Sequence, residues 1–339
     1  MKNPISPQAC ALIDLHLHLD GSLSVRTVRA LAQMQGVEVP KQDEELLKIL
    51  QVDRKCSNLN EYLEKFDFPC SLLQEKESIS LAVFNLEEEL REQGLIYAEI
   101  RFAPQLHTRK GLTQAEVVEA AVDGLKRSAF HCNLILCCMR GQDNHAQNCE
   151  TVKIAAQYMG KGVCAIDLAG AEALYATENF EDLFQLALEN KVPFTIHAGE
   201  ADGPKSIQTA IMFGANRIGH GIRCIEDESL MEQLAANGAT LELCPTSNLH
   251  TNIFDCICDY PLVQLMDAGI RVTINTDNMT VSGVNLQSEF QKIITTFFLT
   301  KDQAERLVQN AVDASFADAE TKSWMNEQLA RRLSAINCN

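Results

Sequence analysis

The sequence lacks any apolar run approaching the ~20 residues that a membrane-spanning helix needs. It also lacks an excess of positive charge, since 29 Lys and Arg residues stand against 46 Asp and Glu residues, for a formal net charge of -17. A surface of this sign repels nucleic acids and anionic membranes, so we expect neither as a partner. The first residues, MKNPISPQAC, contain no apolar h-region. We therefore expect no secretory signal and a cytoplasmic protein.

The cysteines lack the spacing of a disulfide framework or of a thiolate metal site. There are 13 of them, an odd number, and no C-x-x-C motif occurs. The combination of H-x-E with P-C-x-x-C that marks the cysteine-ligated zinc deaminases is absent as well. We therefore expect reduced, mostly buried thiols, and any metal to be held by nitrogen and oxygen.

The chain also lacks linkers, low-complexity tracts and internal repeats. What it has is a strand-like run roughly every 25 to 40 residues, with helix-like stretches between the runs, which is typical of βα units. Eight such runs predict an α/β fold, a (β/α)8 TIM barrel, whose chemistry lies at the carboxyl ends of the strands. The predicted strands are 12–16, 96–102, 132–138, 163–168, 193–197, 217–220, 239–243 and 270–275.

The stretch from 20 to 95 is too long for one crossover helix. We interpret it as a helical insertion after strand 1 that forms a lid over the barrel mouth, within a single domain spanning 1–339. The residues from 301 onward predict extra C-terminal helices. The helix-like segments of the insertion are 25–36, 43–50, 58–67 and 77–93.

Four histidines and one aspartate each come where an apolar run stops. A His-x-His pair at the end of one strand, with His and Asp from later strands, supplies the imidazole and carboxylate ligands of a single metal ion. The residues are His16, His18, His197, His220 and Asp277. Glu200 follows in the loop HAGEADGP, where a proton shuttle belongs, although a solvated loop carboxylate is the alternative.

Each of these residues taken alone has a simpler structural explanation. A His-x-His pair is a weak signal, and a single histidine is more often a core or surface residue. The joint placement at one barrel rim favours the metal site. We expect no such role for the other histidines, which are in loops or before strands: His107, His131, His145 and His250.

Eight motifs, in this order, resemble those of the adenosine deaminase family. They are IDLHLHLDGSL, YAEIRFAP, ILCCMR, AIDLAGAE, TIHAGE, RIGHG, CPTSN and INTDN. They run from residue 13 to 278, and NAVDASF near residue 310 resembles the closing helix of the family. The resemblance implies a zinc-dependent amidohydrolase that converts adenosine and 2′-deoxyadenosine to their inosine products and ammonia, in purine salvage.

Carried over by residue, the resemblance implies one zinc ion per chain, held by His16, His18, His197 and Asp277. Glu200 would protonate the purine N1, while His220 and Asp277 would hold and deprotonate the attacking water. The implied substrate-binding residues are His18, Asp20 at the ribose 5′-hydroxyl, Gly170 at the purine N3, Asn278 at N7, and Leu59, Tyr62 and Phe66 around the purine entrance.

Two departures from the family pattern concern the substrate. Asn278 stands where many members have aspartate, and its amide donates a hydrogen bond without first being protonated. Ala171 stands where an acidic residue is common. These leave open a related substrate, such as adenine or a modified adenine nucleoside, although Asp20 disfavours a 5′-phosphate. A catalytically dead nucleoside-binding relative is the alternative outside the enzymes. The sequence says nothing firm about oligomeric state.

Overall fold

A computed structural model describes residues 12–53 and 55–337 of the chain. The N-terminal residues on which the expectation of no secretory signal is based lie outside these ranges. Within the described ranges, no helix is both long enough and apolar enough to cross a membrane.

Eight strands follow one another along the chain, with at least one helix between each strand and the next. They are β1 (Ile13–His18), β2 (Tyr97–Phe102), β3 (His131–Met139), β4 (Val163–Ala169), β5 (Thr195–Ala198), β6 (Arg217–His220), β7 (Thr240–Leu243) and β8 (Arg271–Ile274). No strand end differs from its predicted position by more than two residues. Parallel strands are buried on both faces, so their sequences are nearly continuous apolar runs, and such runs predicted the strands here.

The strands are all parallel and close into a barrel. Hydrogen bonds join each strand to the next from β1 through β4, and again from β5 through β8. Between β4 and β5, Ile166 bridges to Phe194, and the Ile166 N–H donates to the Pro193 carbonyl oxygen at 3.0 Å. Between β8 and β1, Leu17 bridges to Asp277, a junction that we call the β8–β1 seam. The predicted (β/α)8 barrel is confirmed.

Five helices lie between β1 and β2: α1 (Val25–Gln35), α2 (Asp43–Leu50), α3 (Leu59–Leu63), α4 (Asp67–Leu72) and α5 (Lys76–Glu92). The Ser24 side chain accepts a hydrogen bond from the Thr27 N–H at the start of α1, and Gly36 ends it at a φ of 65°. Both residues supply hydrogen-bond partners for backbone groups that have none within the helix at its ends. The single helix predicted over 58–67 is wrong. A 3₁₀ turn separates α3 from α4, because Pro69 donates no N–H and is accommodated in a new first turn.

The other helices connect the later strands and follow β8, as the predicted C-terminal extension requires. They are α6 (Gln114–Leu125), α7 (His145–Tyr158), α8 (Glu181–Glu189), α9 (Pro204–Met212), α10 (Glu228–Asn237), α11 (Pro245–His250), α12 (Leu262–Asp267), α13 (Met279–Ser282), α14 (Leu286–Phe297), α15 (Lys301–Ala314) and α16 (Ala319–Asn337). One apolar core runs between strands and helices, but the largest fully buried side chains are charged, namely Arg101 and Arg217.

The cysteines only partly match the expectation. Nine of those that the structure describes are free, and seven of these nine are buried. The expectation of free thiols throughout is wrong for Cys256 and Cys258, which the structure joins as a disulfide. The two residues lie in an exposed turn with their Cα atoms 5.1 Å apart, close enough for a bond that sequence spacing alone did not suggest.

Glu87 on α5 is a buried carboxyl group without a compensating partner. Its side chain is 1% exposed, and its Oε2 atom makes no hydrogen bond. Burial, with a smaller effect of the Glu88 charge, raises the pKa of Glu87 from 4.5 to about 9. The folded protein therefore keeps this group protonated at neutral pH, whereas the unfolded chain ionises it.

We predict that Glu87→Gln raises the melting temperature at pH 8. Above pH 4.5 the unfolded wild type releases a proton that the folded state retains, so wild-type stability falls as pH rises toward 9. Glutamine does not ionise, so the variant keeps the free energy of unfolding that the wild type loses at higher pH. Each kcal/mol regained raises the melting temperature by roughly 2–4 °C. Thermal unfolding at pH 8 and pH 4.5 measures the effect, which should vanish at the lower pH. Glu92→Gln, an exposed site on the same helix, is the control, and equal melting temperatures for Glu87→Gln and wild type at pH 8 would contradict the prediction.

Candidate active site

The chemistry-bearing side chains meet at one end of the barrel. His16 and His18 are two residues apart on β1, so they share a face of the strand. His197 lies on β5, and His220 is the last residue of β6. Asp277 follows β8 by three residues. Because all these positions are at the carboxyl ends of parallel strands, the fold brings them to the same rim.

Two of these residues have a backbone conformation that side chains rarely adopt. The φ angles of His220 and Asp277 are 59° and 60°, in the left-handed region that favours glycine. Asp277 is held there from both sides, since its N–H donates to the His16 carbonyl at 2.8 Å and its carbonyl accepts from the His18 N–H at 2.7 Å. Strained conformations of this kind persist where the surroundings fix them, and they cluster at functional sites.

Four ligand atoms converge at this rim. His18 Nε2 lies 3.3 Å from His197 Nε2, and Asp277 Oδ1 lies 3.4 Å from the Nε2 atoms of both His16 and His18. The buried Nε2 of His16 makes no hydrogen bond. All four ligand atoms lie within 4.8 Å of one another. Three imidazole nitrogens and a carboxylate held this closely fit a metal ion of the zinc class.

A second possible ligand set overlaps the first and replaces two of its members by His220 and Cys244. Burial raises the pKa of the Cys244 thiol well above its ordinary value, which disfavours the thiolate. Because the thiolate is the form that binds metals, this set is the weaker one. The nitrogen and oxygen set agrees with what the cysteine spacing predicted.

Two buried carboxylates contact the rings of His16 and His197. Glu242 Oε2 lies 2.7 Å from His16 Nδ1, and Asp167 Oδ2 lies 2.8 Å from His197 Nδ1. Glu242 shares a hydrogen bond with His16 Nδ1, and Asp167 contacts His197 Nδ1 as an ion-pair partner. Both contacts leave the Nε2 atoms of the two rings facing the converging ligand atoms. Carboxylate partners of this kind fix the tautomer and the ring orientation of metal ligands.

One guanidinium group joins these two carboxylates. Arg101 donates from Nη1 to Asp167 Oδ2 at 2.8 Å and from Nη2 to Glu242 Oε2 at 2.8 Å. Arg217 donates from Nε to the other oxygen of Glu242 at 2.6 Å, and its Nη1 pairs with Glu99 at 2.5 Å. Both arginines are buried, and these ion pairs compensate their charges within the barrel. We call these five residues the barrel charge network.

Sequence reasoning missed most of this network. It gave no role in the site to Asp167, Glu99, Arg101, Arg217 or Glu242. A signal was present, because Arg101 and Glu242 interrupt apolar strands, IYAEIRF and ATLEL, whose neighbouring residues are buried. A charge in such a strand must find a partner inside the barrel.

Glu200 lies beside the converging ligand atoms. It is 5% exposed, and its Oε2 lies 3.6 Å from His220 Nε2. Burial raises the pKa of Glu200 well above its ordinary value, and the negative charges of Asp277 and Glu172 raise it further. This favours the protonated carboxyl at neutral pH, which is the form that a general acid needs.

The tautomer of His220 follows from its neighbours. The Tyr260 hydroxyl donates to Asn248 Oδ1 at 3.0 Å, so the Asn248 amide nitrogen is the group that faces His220 Nδ1, also at 3.0 Å. Burial lowers the pKa of His220 well below its ordinary value, and the ring is neutral. Since Nδ1 accepts, the single ring proton is on Nε2, and this atom is a hydrogen-bond donor at the site.

The rim opens into a cavity of about 230 Å³. Every residue that the resemblance assigned to substrate binding lines it: His18, Asp20, Leu59, Tyr62, Phe66, Gly170 and Asn278. Tyr62 is 1% exposed, and its hydroxyl lies 2.7 Å from Ser282 Oγ, so α3 is tied to α13. A second cavity of about 370 Å³ adjoins the first at Leu59 and Glu200, and Ala171 is in its lining.

Two buried oxygen atoms in the first cavity have no hydrogen-bond partner, Asp20 Oδ1 and Asn278 Oδ1. Burial raises the pKa of Asp20 to about 6. Gly21 packs directly against Asn278, because a Cβ atom there would lie 1.9 Å from Asn278 Oδ1. The side chain at position 278 therefore keeps its place only if residue 21 is glycine.

The other histidines stay out of the metal-binding groups found in the described part of the chain. His107 is buried after β2, and His131 stacks on Trp324 with ring centroids 3.9 Å apart. The expectation that all four are in loops or before strands is wrong for His131, which begins β3, for His145, which begins α7, and for His250, which ends α11. These three residues are at the ends of their elements, which short polar runs do not distinguish from loops.

Comparison with known proteins decides the family. The adenosine deaminase family model matches residues 11–332. The chain belongs to the adenosine deaminase family. An adenosine deaminase of Haemophilus ducreyi is 48% identical over 330 residues, which is 95% of this chain and 96% of that protein.

Solved structures of related deaminases share the barrel. The adenine deaminase of Arthrobacter aurescens superposes with a TM-score of 0.85 at 26% identity, over 96% of this chain and 99% of that one. The Arabidopsis protein ADAL, in complex with IMP, gives 0.84 at 26% identity, over 96% and 97% of the two chains. The second of these neighbours thus binds a purine nucleotide.

We predict that Arg101→Lys weakens metal binding by up to about 10- to 100-fold, the effect of losing a direct partner of a metal ligand, because Arg101 holds two such partners, Asp167 and Glu242. A lysine ammonium lacks the planar fork with which Arg101 holds two carboxylates at once. Competition with a chromophoric chelator measures the affinity. Arg217→Lys is the matched control, because Arg217 contacts Glu242 but not Asp167, and it should lose less. If Arg101→Lys binds the metal as tightly as wild type does, the histidines keep their orientation without the paired contacts of Arg101 to Asp167 and Glu242.

Proposed function

We propose that this chain catalyses the hydrolytic deamination of adenosine and 2′-deoxyadenosine, in purine salvage, with one zinc ion per chain. The products are inosine or 2′-deoxyinosine and ammonia. The observation that carries the proposal is a buried carboxyl group with a raised pKa, Glu200, beside the four converging ligand atoms in the lining of one cavity. Membership of the adenosine deaminase family supports the same reaction.

His16, His18, His197 and Asp277 would hold the zinc ion. Zinc, when bound there, supplies Lewis acidity that makes water nucleophilic near neutral pH. The barrel charge network would hold the rings of His16 and His197 by their Nδ1 sides, so that their Nε2 atoms face the ion.

Glu200 starts the reaction by giving its proton to N1 of the purine. Protonation of N1 draws electrons away from C6, which opens C6 to attack by water. The Nε2–H group of His220 orients that water, and Asp277 takes its proton. Because the His220 ring presents a donor, we assign it the orienting role and leave proton removal to Asp277 alone.

The tetrahedral C6 that results collapses with loss of the amino group. The proton held by Asp277 passes to this group, which leaves as ammonia. The proton of the added hydroxyl returns to Glu200, and C6 becomes the carbonyl carbon of inosine. Glu200 and Asp277 thus end each cycle in their starting protonation states.

The helical segment 20–95 would act as a lid that excludes water from this step. Leu59, Tyr62 and Phe66 would cover the purine, in a single domain spanning 1–339. Gly170 would offer its backbone N–H to N3, since its φ of 104° and missing side chain allow close approach. The partnerless Oδ1 of Asp20 would accept the 5′-hydroxyl of the ribose.

Free adenine or a modified adenine nucleoside is the alternative substrate. The likeness to an adenine deaminase supports it, whereas Asp20 favours a nucleoside with a free 5′-hydroxyl and opposes a 5′-phosphate. A catalytically dead nucleoside-binding protein is less favoured, because it would not need every metal and acid–base position. A cytoplasmic location suits the nine free thiols among the described residues, since cytosolic conditions keep thiols reduced, whereas the Cys256–Cys258 disulfide does not support it.

The direct test is to follow the absorbance change of adenosine with purified protein, beside 2′-deoxyadenosine, adenine and AMP. We expect turnover of the two nucleosides, little of AMP, and loss of activity on chelation that added zinc restores. Faster turnover of adenine than of adenosine would favour the alternative substrate. No turnover of any of the four by zinc-loaded protein would favour a binding function.

We predict that Glu200→Gln keeps its zinc but loses turnover roughly 100-fold or more, as expected when a general acid is removed. Glutamine preserves the shape of the side chain and has no proton to give. Metal analysis and steady-state kinetics on the same sample separate the two effects. His18→Ala is the comparison, because it should lose both metal and activity. A Glu200→Gln enzyme within a few-fold of wild type would exclude this residue as the acid.

Asn278 is predicted to donate its amide N–H to the purine N7. In 7-deaza adenosine this acceptor is a C–H group, and an unpaired buried donor costs about 1–3 kcal/mol, so kcat/KM should fall roughly 5- to 150-fold. Asn278→Ala should lower adenosine turnover and also lose most of this discrimination. If Asn278→Ala discriminates against the analogue as strongly as wild type does, another residue recognises N7.

A further inference from the structure

The segment that carries Glu200 has no regular secondary structure. It lies between the end of β5 at Ala198 and the start of α9 at Pro204. The N–H groups of residues 199–202 donate to no backbone carbonyl. Gly199 turns the chain at a φ of 74°. Gly199 and Glu200 are buried, and Ala201 and Asp202 are partly buried. Backbone N–H groups in such surroundings that face no strand or helix partner need another acceptor.

A single carboxylate accepts all four of these N–H groups. Glu172, 1% exposed, receives the Gly199 N–H on Oε1 at 2.7 Å. Its Oε2 receives the N–H groups of Glu200 at 3.0 Å, Ala201 at 2.7 Å and Asp202 at 3.0 Å. Successive N–H groups that point to one side form a concave site for an anion, and the Glu172 side chain occupies it.

The carboxylate is itself held from the opposite side. Ser206 Oγ donates to Glu172 Oε1 at 2.5 Å, and it lies 2.7 Å from Thr177 Oγ1. Arg140 donates to Thr177 Oγ1 at 2.9 Å and to the His197 carbonyl at 2.6 Å. The segment is therefore anchored at its beginning by Arg140 and along its length by Glu172.

We propose that Glu172 is a positioning residue for the proton donor, because its carboxylate fixes the backbone of residues 199–202 and thereby the place of the Glu200 side chain. The inference rests on the proposed function, which makes Glu200 the acid. Glu172 follows Gly170 by two residues, so one turn after β4 supplies both a wall of the substrate cavity and the anchor of the acid. An ionised carboxylate suits this role, since it only accepts hydrogen bonds.

Glu172→Gln tests the anchor with little change of shape. Glutamine has one accepting oxygen, and its NH2 group would face backbone N–H donors, so the segment must shift. We expect kcat for adenosine to fall roughly 10- to 100-fold, the scale of an ångström-sized misplacement. KM should change by no more than about threefold and metal content should be unchanged, because no metal ligand is touched.

Glu178→Gln is the matched control for the loss of one negative charge in this region. Glu178 is half exposed and pairs with Lys205 at 2.5 Å on the surface. Its substitution should leave kcat unchanged. A loss of kcat in this control equal to that in Glu172→Gln would assign the effect to charge alone and overturn the proposal.

A double-mutant cycle separates positioning from general damage to the fold. If Glu172 acts through Glu200, adding Glu172→Gln to Glu200→Gln costs little more than Glu200→Gln alone. Losses that multiply, or a loss of metal in Glu172→Gln, would overturn the proposal. Should Glu172→Gln not fold, Glu172→Asp retains the charge at shorter reach and carries the same cycle. A Glu200→Gln enzyme with near-wild-type turnover would instead refute the proposed function.

Discussion

The active site depends on how charge is compensated inside the barrel. Arg101 sits between Asp167 and Glu242, and these two carboxylates orient His197 and His16. Burying a charge away from water has a large desolvation free energy, which only a paired charge offsets. Removal of one partner therefore leaves the remaining buried charges uncompensated and destabilises the fold. The barrel charge network has three carboxylates and two guanidinium groups, a formal charge of -1. Asp277 brings this to -2, which one divalent cation neutralises.

The strands and the ligands at their ends were predictable because both follow from local pattern. A buried parallel strand is an apolar run, and a candidate ligand appears where that run stops, as His16, His197 and Asp277 do. The pairing of Arg101 with Glu242 could not be predicted in this way. These residues are 141 positions apart, and their contact depends on how strands brought together by the whole barrel face one another.

The same limit applies to the lid and to the acid. The break between α3 and α4 depends on Pro69 and on packing against the barrel, whereas the helical spacing of Leu59, Tyr62 and Phe66 suggested a single helix. Glu172 was part of a recognised motif, but nothing in AIDLAGAE tells that its last residue accepts four N–H groups from the next βα loop. Local sequence locates such a residue, and only the assembled barrel gives it a partner.

The β8–β1 seam has a consequence for how the protein matures. Asp277 completes the ring of strands by hydrogen bonding on either side of Leu17, to the backbone of His16 and His18, and its side chain completes the ligand set. The first two ligands leave the ribosome some 260 residues before the last. A chain that ends before Asp277 would therefore offer only part of this candidate ligand set. Tight metal loading would in this sense report that synthesis has passed Asp277 and that the ring of strands has closed.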